Sequence, residues 1–323
     1  MSNGWGRFEV FLGKVEGLLG EAAGQADAAA WLYQNGARTP IFMLEGLAKL
    51  YGNIHNKKRF GKIEVHFKLL EDALGAIDYY DGFAKQFAAD KNSPKGSEAA
   101  ARAKADEKTA ALNALLIKKD WIGKNADRLA KIRKKLADAD WLDEKAEMKA
   151  IETVYRNSIS KIDAFADQYR GGFTELESQV HELRRKLRWL SIYPQALQGC
   201  VQLTEAASGD KNVAKYLTPE ITGSPFNKMP DAGTNRYLLI LNKDYFLALS
   251  WMISELGRLK DAGLRLVVLD EAGTVSKTDA KVEAKMLAGA TDICRTYFAE
   301  KNLDKLVSGV VKNAGNRSNV NPR

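Results

Sequence analysis

The sequence has few of the residues from which metal and disulfide sites are built. Its 323 residues include three histidines and two cysteines, and Cys200 and Cys294 give neither a disulfide framework nor the spacing of a zinc site. It also lacks a long apolar run: the longest is Tyr245–Ile253, whereas a membrane-spanning helix needs about 20 apolar residues. We therefore expect no metal, no disulfide and no insertion into a membrane.

Motifs of common catalytic and nucleotide-binding sites are also missing. The chain contains neither a Gly-x-x-x-x-Gly-Lys-Ser/Thr phosphate loop nor a Gly-x-Ser-x-Gly nucleophile turn. His181-Glu182 resembles the start of a zinc-protease helix, but Arg185 stands where the second histidine of that motif would be. We therefore expect a protein without a cofactor and without enzymatic activity.

The N-terminal segment, Met1–Leu19, is amphipathic and carries Glu9 and Glu16. A secretory signal peptide instead has basic residues followed by an apolar stretch. The expected location of the protein is therefore the cytoplasm.

Basic charge is what the sequence has in excess. The formal net charge is +8, and Lys118–Lys135 contains eight basic and two acidic residues. A second basic segment, Lys57–Lys62, is followed by His66. This balance favours a polyanionic partner, although a solvated helix face that improves solubility explains either segment equally well. One helix face in the first segment carries four cations at spacings of four, three and four residues: Lys124, Arg128, Lys131 and Lys135.

Apolar residues recur every three or four positions through most of the chain, which predicts amphipathic helices and no alternating strands. Leu264–Leu269 has a strand-like composition but no evident pairing partner, so we interpret it as helix. Breaker residues predict loops at Lys91–Ser97 and Thr204–Thr234, and Asn313–Arg323 is predicted to be a disordered tail. The predicted helices cover about 8–33, 40–52, 60–89, 99–119, 125–139, 140–169, 174–199 and 243–262, followed by two short C-terminal helices.

The helix predicted over Thr174–Gly199 carries the most informative pattern. Its apolar stripe consists of Leu176, Val180, Leu183, Leu187 and Leu190. A second stripe, His181, Arg184, Arg188 and Ser191, lies one residue further on. One residue is a rotation of about 100°, so these cations lie beside the buried face, where they could hold an anion between packed helices. Arg and Lys also commonly bury their stems at a core edge with their heads in water, and the pattern alone leaves both interpretations open.

A histidine followed by arginines three and seven residues later, on a helix of a basic helical chain, resembles the CHAD (conserved histidine α-helical domain) family. The resemblance implies an all-α fold of two four-helix bundles related by an internal pseudo-twofold axis. It also implies binding of inorganic polyphosphate, first by His181, Arg184, Arg185 and Arg188, and then by Arg38, Lys62, His66 and Arg128.

An internal repeat is expected if this resemblance holds. Asn35–Arg38 can be aligned with His181–Arg184 at a shift of 146 residues, and Leu74–Asp78 with Leu256–Lys260 at a shift of 182. The second pair resembles a Leu-Gly-x-x-Arg-Asp element of the family. The two shifts differ by 36 residues, which the loop at about 204–234 can absorb. The predicted halves are therefore residues 1–165 and 166–323.

The first half departs from the family pattern. In the alignment Asn35 stands in place of the histidine and Phe42 corresponds to Arg188. Asp78 replaces an arginine of the family pattern. Thr39-Pro40 predicts a helix start that leaves Arg38 just outside the helix. We therefore expect the first-half anion site to be altered.

The sequence favours an all-α, non-enzymatic protein that binds a polyanion in a basic groove between helices, and the resemblance implies that this polyanion is inorganic polyphosphate. A phosphate chain needs Arg forks and Lys charges but no stacking aromatic rings, so nucleic acid is a less favoured partner. The alternative is a helical scaffold that binds another protein and uses its basic faces only for solubility.

Overall fold

The structure is a computed structural model that describes residues 3–206, 208–271, 273 and 279–313. Helices dominate it, as predicted from the periodicity. Its α-helices are Asn3–Ala22 (α1), Ala28–Gln34 (α2), Arg38–Gly52 (α3), Lys57–Ala89 (α4), Ser97–Lys118 (α5), Arg128–Ala137 (α6), Glu144–Asp167 (α7), Glu182–Ala196 (α8), Pro219–Gly223 (α9), Lys243–Glu271 (α10) and Asp279–Ala299 (α11). A π-helical turn, Leu176–His181, leads directly into α8, and short 3₁₀ turns lie at Ala214–Tyr216 and Pro225–Asn227.

Side-chain caps set several of the helix starts. A polar residue before α2, α4, α7 and α9 accepts a hydrogen bond from the backbone N–H three residues later; these caps are Asp27, Asn56, Asp143 and Thr218. The cap at Asp27 starts a new helix, so the predicted continuous helix over 8–33 is divided into α1 and α2. Each cap satisfies one of the backbone donors that a helix start leaves unpaired.

Helix α3 begins two residues earlier than predicted. Arg38 is its first residue, and Ala37 precedes it in a helical conformation without a side-chain cap. The prediction that Arg38 lies outside the helix is therefore wrong. Pro40 is accommodated at the third position because the first-turn N–H groups have no partner within the helix.

Helix α10 confirms the interpretation of Leu264–Leu269 as helix. Its predicted end at Ala262 is wrong, because the helix continues to Glu271. The C-terminal part was predicted as two short helices and instead contains α11, of 21 residues. The predicted loop at 204–234 includes α9 and the two 3₁₀ turns.

A three-stranded sheet was not predicted. Its strands are Val201–Leu203 (β1), Tyr237–Leu241 (β2) and Val307–Lys312 (β3). β1 pairs with β2 in parallel, with Val201 opposite Leu239, and β2 pairs with β3 in antiparallel fashion, with Leu239 opposite Val310. Strands of three to six residues are too short to show a period-two pattern, and their pairing joins distant segments. β3 ends at the start of the predicted C-terminal tail, of which residues 314–323 lie outside the described residues.

Contacts divide the chain into two compact units. The first comprises residues 3–141 with the described residues of 262–281, and the second comprises the described residues of 142–261 with those from Val282 onward. The predicted halves, 1–165 and 166–323, describe a sequence repeat rather than a grouping of contacts, and that division stays a prediction.

An aromatic cluster joins α1, α3 and α4 in the first unit. The ring of Tyr51 lies 5.6 Å from Phe8 and 5.3 Å from Trp141, and Phe60 lies 5.8 Å from Trp141. Phe8, Tyr51 and Phe60 are fully buried. Edge-to-face and tilted ring contacts of this kind stabilise the fold by more than the burial of their apolar surface alone. They hold α3 against α4, the two helices that carry Arg38 and His66.

The apolar stripe of α8 is buried in the second unit. Leu183, Leu187 and Leu190 have no exposed surface, as predicted. The hydroxyl of Tyr155 on α7 donates to the Leu190 carbonyl at 3.2 Å. Burial of each leucine contributes roughly 1.5–3 kcal/mol, so the orientation of α8 about its axis is fixed. No described helix is long and apolar enough to cross a membrane.

Helix α3 also buries an acid. Glu45 is 4% exposed, and its Oε2 atom has no hydrogen-bond partner within the described residues. Burial, and then the nearby Glu71 carboxylate, raise the pKa of Glu45 to about 7. The folded protein therefore holds a proton on Glu45 that the unfolded chain releases at lower pH.

Because the folded-state pKa of Glu45 is raised, its contribution to stability is fully present below the unfolded pKa. That contribution is lost as the pH rises from about 4.5 through about 7. We predict that Glu45→Gln is more stable than the wild type at pH 8, by roughly 1–3 kcal/mol, and close to it at pH 4.5. Urea unfolding at the two pH values measures this, with Glu21→Gln on an exposed face of α1 as the control. Equal pH profiles for the two variants would contradict the prediction.

Candidate functional site

Arg184 lies on α8 and reaches the backbone of α10. Its Nε donates to the Ile253 carbonyl at 3.1 Å. Its guanidinium covers Gly257, where a Cβ atom would lie 3.0 Å from Nε and 3.1 Å from Nη2. Burial lowers the pKa of Arg184, and the Asp261 carboxylate opposes that shift from beyond ion-pair distance. In the described ranges no carboxylate pairs with this guanidinium, so it keeps donors for an anion.

Arg38 has a different electrostatic environment. Its Nε and Nη2 both lie 2.9 Å from Glu71 Oε1, and its Nη1 lies 2.7 Å from Asp78 Oδ2. Its guanidinium covers Gly75, where a Cβ atom would lie 2.8 Å from Nη2. Two carboxylates therefore neutralise Arg38, and its role in binding a polyanion stays a prediction. Asp78, one of the departures from the family pattern, is one of the two.

The surroundings of the two arginines correspond position by position. In each case the guanidinium covers a helical glycine, and Nε bonds to the residue four positions before that glycine, Glu71 or Ile253. The glycines and these partners share the shift of 182 residues that the sequence alignment gave. The acceptor differs: it is a carboxylate at Glu71 and a backbone carbonyl at Ile253. The same local contact therefore occurs twice, and carboxylates neutralise the arginine at Gly75 but not the one at Gly257.

The other three predicted site residues of this segment also have local partners. We call the four residues His181, Arg184, Arg185 and Arg188 the α8 stripe. His181 is the last residue of the π-helical turn, and its Nδ1 lies 2.8 Å from Glu177 Oε1. Arg185 is exposed and lies 2.6 Å from Glu182. Arg188 is half-buried, and its carbonyl accepts a hydrogen bond from Ser191 Oγ at 2.9 Å. Arg184 itself donates a hydrogen bond to the α10 backbone, at the Ile253 carbonyl.

A second group of cations comes from three helices of the first unit. It contains two residues of α4, the residue after α5 and two residues of α6: Lys62, His66, Lys119, Arg128 and Lys135. We call it the α4–α6 basic cluster. Burial of His66, and then the charges of Arg128, Lys135 and Lys119, lower the pKa of its imidazole to about 4. Burial, and then Lys62 and Arg128, also lower the pKa of Lys135.

The turn between α5 and α6 positions this cluster. Arg128 Nε donates to the Lys119 carbonyl at 2.8 Å, and its Nη2 lies 3.5 Å from Asp120 Oδ2. Asp120 adopts a left-handed conformation with φ of 58°, which asparagine and aspartate tolerate better than most residues. Ile132 and Leu136 of α6 are fully buried. The cations next to them are therefore held at the edge of the core.

Little acidic charge balances the α4–α6 basic cluster. Asp120 pairs with Arg128, whereas Lys62, Lys119 and Lys135 form no ion pair within the part of the chain that the structure describes. Burial is the first cause of the lowered pKa values of His66 and Lys135, and repulsion between neighbouring like charges lowers both values further. A bound anion would relieve this repulsion.

The structure thus separates the eight predicted site residues into groups. Lys62, His66 and Arg128 come together in the first unit, Arg38 pairs with carboxylates, and the remaining four lie along the α8 segment. Two members of the α4–α6 basic cluster were not among the predicted site residues. Lys135 was one of the four cations predicted to share a helix face. Lys119 lies in the predicted basic segment Lys118–Lys135 but was not singled out.

Comparison with protein-family models, curated proteins and solved structures gave no match to this chain. The resemblance to the CHAD family therefore rests on the residues described above and stays a prediction.

The contact between Arg38 and Gly75 can be tested on α4. Glycine in a helix interior is less stable than alanine by roughly 0.5–1 kcal/mol, and nothing lies within 4 Å of a Cβ atom placed at Gly82. We predict that Gly82→Ala stabilises the protein by about this amount. Gly75→Ala should not, because its methyl group would displace the guanidinium of Arg38 from Glu71. Urea unfolding measures both, and equal gains would contradict the geometry.

Proposed function

We propose that this protein binds a linear polyanion without altering it, and that inorganic polyphosphate is the favoured ligand. The α4–α6 basic cluster carries the proposal. It brings three lysines without an ion-pair partner in the described residues close to His66 and Arg128. Repulsion between cations that are held together raises the free energy of the folded protein, and a bound anion lowers it again.

The chemistry of a phosphate chain suits such a cluster. Each phosphate offers acceptor oxygens and a negative charge, and the chain has no base edges to be read. Lys supplies rotatable point charges and Arg supplies a planar fork, and both bind phosphate in proteins. The affinity would then depend more on the negative charge of the ligand than on its shape.

The α8 stripe supports the same proposal through the resemblance. It implies that His181, Arg184, Arg185 and Arg188 hold the polyphosphate chain, and the guanidinium of Arg184 keeps donors free for it. We further propose two helical bundles related by an internal pseudo-twofold axis. The repeated placement of an arginine over a helical glycine, at Gly75 and Gly257, supports this duplication. Glu71 and Asp78 then account for the loss of the anion site in the first copy.

The proposal places the protein in the cytoplasm, where a polyphosphate chain would be accessible to it. Nucleic acid is a less favoured ligand, because discrimination of a nucleic acid depends on contacts to bases as well as to phosphates. A scaffold that binds another protein would instead bind neither polyanion at physiological salt.

Charge reversal within the α4–α6 basic cluster tests the proposal. We predict that Lys62→Glu/Lys135→Glu weakens polyphosphate binding more than tenfold, because charged hydrogen bonds contribute roughly 1.5–3 kcal/mol each. The control, Lys91→Glu/Lys95→Glu, makes the same charge change in an exposed loop and should have little effect. Fluorescence titration at two salt concentrations measures both, and the wild-type affinity should fall steeply with salt.

Each result of this titration has a distinct meaning. Equal losses from the two double variants would show that net charge, rather than the cluster, drives binding. Absence of binding at physiological salt would favour the protein scaffold. Equal competition by single-stranded DNA of matched charge would favour a general polyanion site. A parallel Arg184→Ala/Arg188→Ala variant measures what the α8 stripe adds.

Binding at the cluster should also take up a proton. His66 is neutral in the free protein above about pH 4, and an adjacent polyanion favours the imidazolium form. We therefore predict that affinity rises as the pH falls from 7 towards 5. Calorimetry at pH 6 in two buffers of different ionisation enthalpy measures the uptake, and His66→Gln should reduce it. Proton uptake by the terminal phosphates of the ligand is the same for the wild type and for His66→Gln. Equal proton uptake in the two proteins would therefore exclude a role for His66.

A further inference from the structure

A cavity of about 460 Å³ lies in the second unit, between the C-terminal end of α7 and α11. It shares no residue with the α4–α6 basic cluster or with the α8 stripe. Its apolar wall includes three aromatic residues, Tyr169, Phe173 and Phe298. The rings of Tyr169 and Phe173 lie 5.4 Å apart. Cavities of this volume and lining are typical of small-molecule sites.

Hydrogen bonds hold this wall in place. The backbone N–H of Phe173 donates to Thr291 Oγ1 at 3.0 Å, and that hydroxyl donates to the Leu287 carbonyl at 2.7 Å. Gly172 adopts a φ of 125°, which favours glycine. A side chain there would also contact Thr291, at 3.6 Å. The segment after α7 is therefore fixed to α11.

Cys294 belongs to the wall rather than to a reactive site. Its side chain is buried, and burial raises the pKa of its thiol to about 12. A thiol that stays protonated at neutral pH is a weak nucleophile and behaves as a small apolar group. Cys294 therefore adds to the apolar surface that a ligand would cover.

The rim of the cavity is cationic. Arg170, Arg295 and Lys301 line it, together with a single carboxylate, Asp167. Asp167 lies 2.8 Å from Arg170, and Arg295 pairs with Asp292 at 3.6 Å. Lys301 forms no ion pair with any described residue. The lining groups thus carry more positive than negative charge at the open edge.

We propose that this cavity binds a small amphiphilic anion, with an aromatic or branched apolar body and one carboxylate, sulfonate or phosphate group. The apolar body would contact the three aromatic rings, and the anionic group would lie at the rim near Arg295 and Lys301. A polyphosphate chain does not fit this chemistry, because the apolar wall would strip water from its charges without replacing their hydrogen bonds. The proposal is therefore independent of polyanion binding.

The dye 8-anilinonaphthalene-1-sulfonate has the required chemistry and is the probe of the test. Its fluorescence should rise on binding to the wild-type protein and saturate at one site per chain. Arg295→Glu and Lys301→Glu should each raise the Kd for the dye at least fivefold. Arg258→Glu is the matched control, because Arg258 is also an exposed arginine paired with an acid three residues earlier, Glu255, and lies outside the cavity lining. It should change the Kd less than twofold.

A charge-neutral variant separates the cavity from surface charge. Ala299 lines the cavity and is exposed, so Ala299→Trp should fill the space and abolish saturable dye binding while leaving the helical circular dichroism unchanged. In competition, naphthalene sulfonate should displace the dye and the neutral naphthalene methanol should not. Equal losses in Arg295→Glu and Arg258→Glu, or full binding by a folded Ala299→Trp, would overturn the proposal.

Discussion

Burial of the apolar stripes of α6 and α8 determines where the cations of this protein lie. A helix that buries Ile132 and Leu136, or Leu183 and Leu187, has no freedom to rotate about its axis without exposing them. The residues next to those stripes therefore remain at the core edge, whatever their charge. Apolar packing therefore sets the positions of the cations on α6 and α8, and the turn after α5 additionally holds Arg128 in the α4–α6 basic cluster.

The two arginines that cover helical glycines show how a shared local geometry can have opposite electrostatic results. At Gly75 the acceptor four residues earlier is the carboxylate of Glu71, and Asp78 adds a second charge. At Gly257 the acceptor is a backbone carbonyl, which satisfies a donor without neutralising the guanidinium. The absence of a Cβ atom allows the close approach in both cases. The charge of the group that accepts the hydrogen bond from Nε therefore decides whether the guanidinium keeps a net positive charge.

The first unit also holds two groups in protonation states that differ from those in water. Glu45 retains a proton near neutral pH, and His66 loses its proton well below its ordinary pKa. Both shifts begin with burial, and a neighbouring like charge increases each of them. For Glu45 this is an intramolecular penalty that the packing of α3 and α4 must offset. For His66 a ligand of opposite charge would remove part of the penalty, which is the physical basis of the proposed polyanion binding.

The sequence alone determined the helical class and the buried stripe of α8, because the periodicity of apolar residues is a local property of the chain. It did not reveal the three-stranded sheet, whose strands of three to six residues pair only through tertiary contacts. It also did not show that Arg38 is neutralised, or that Lys119 and Lys135 join His66. Only the tertiary structure decided which cations meet carboxylates and which meet other cations, because charge interactions depend on distances between residues far apart in the chain.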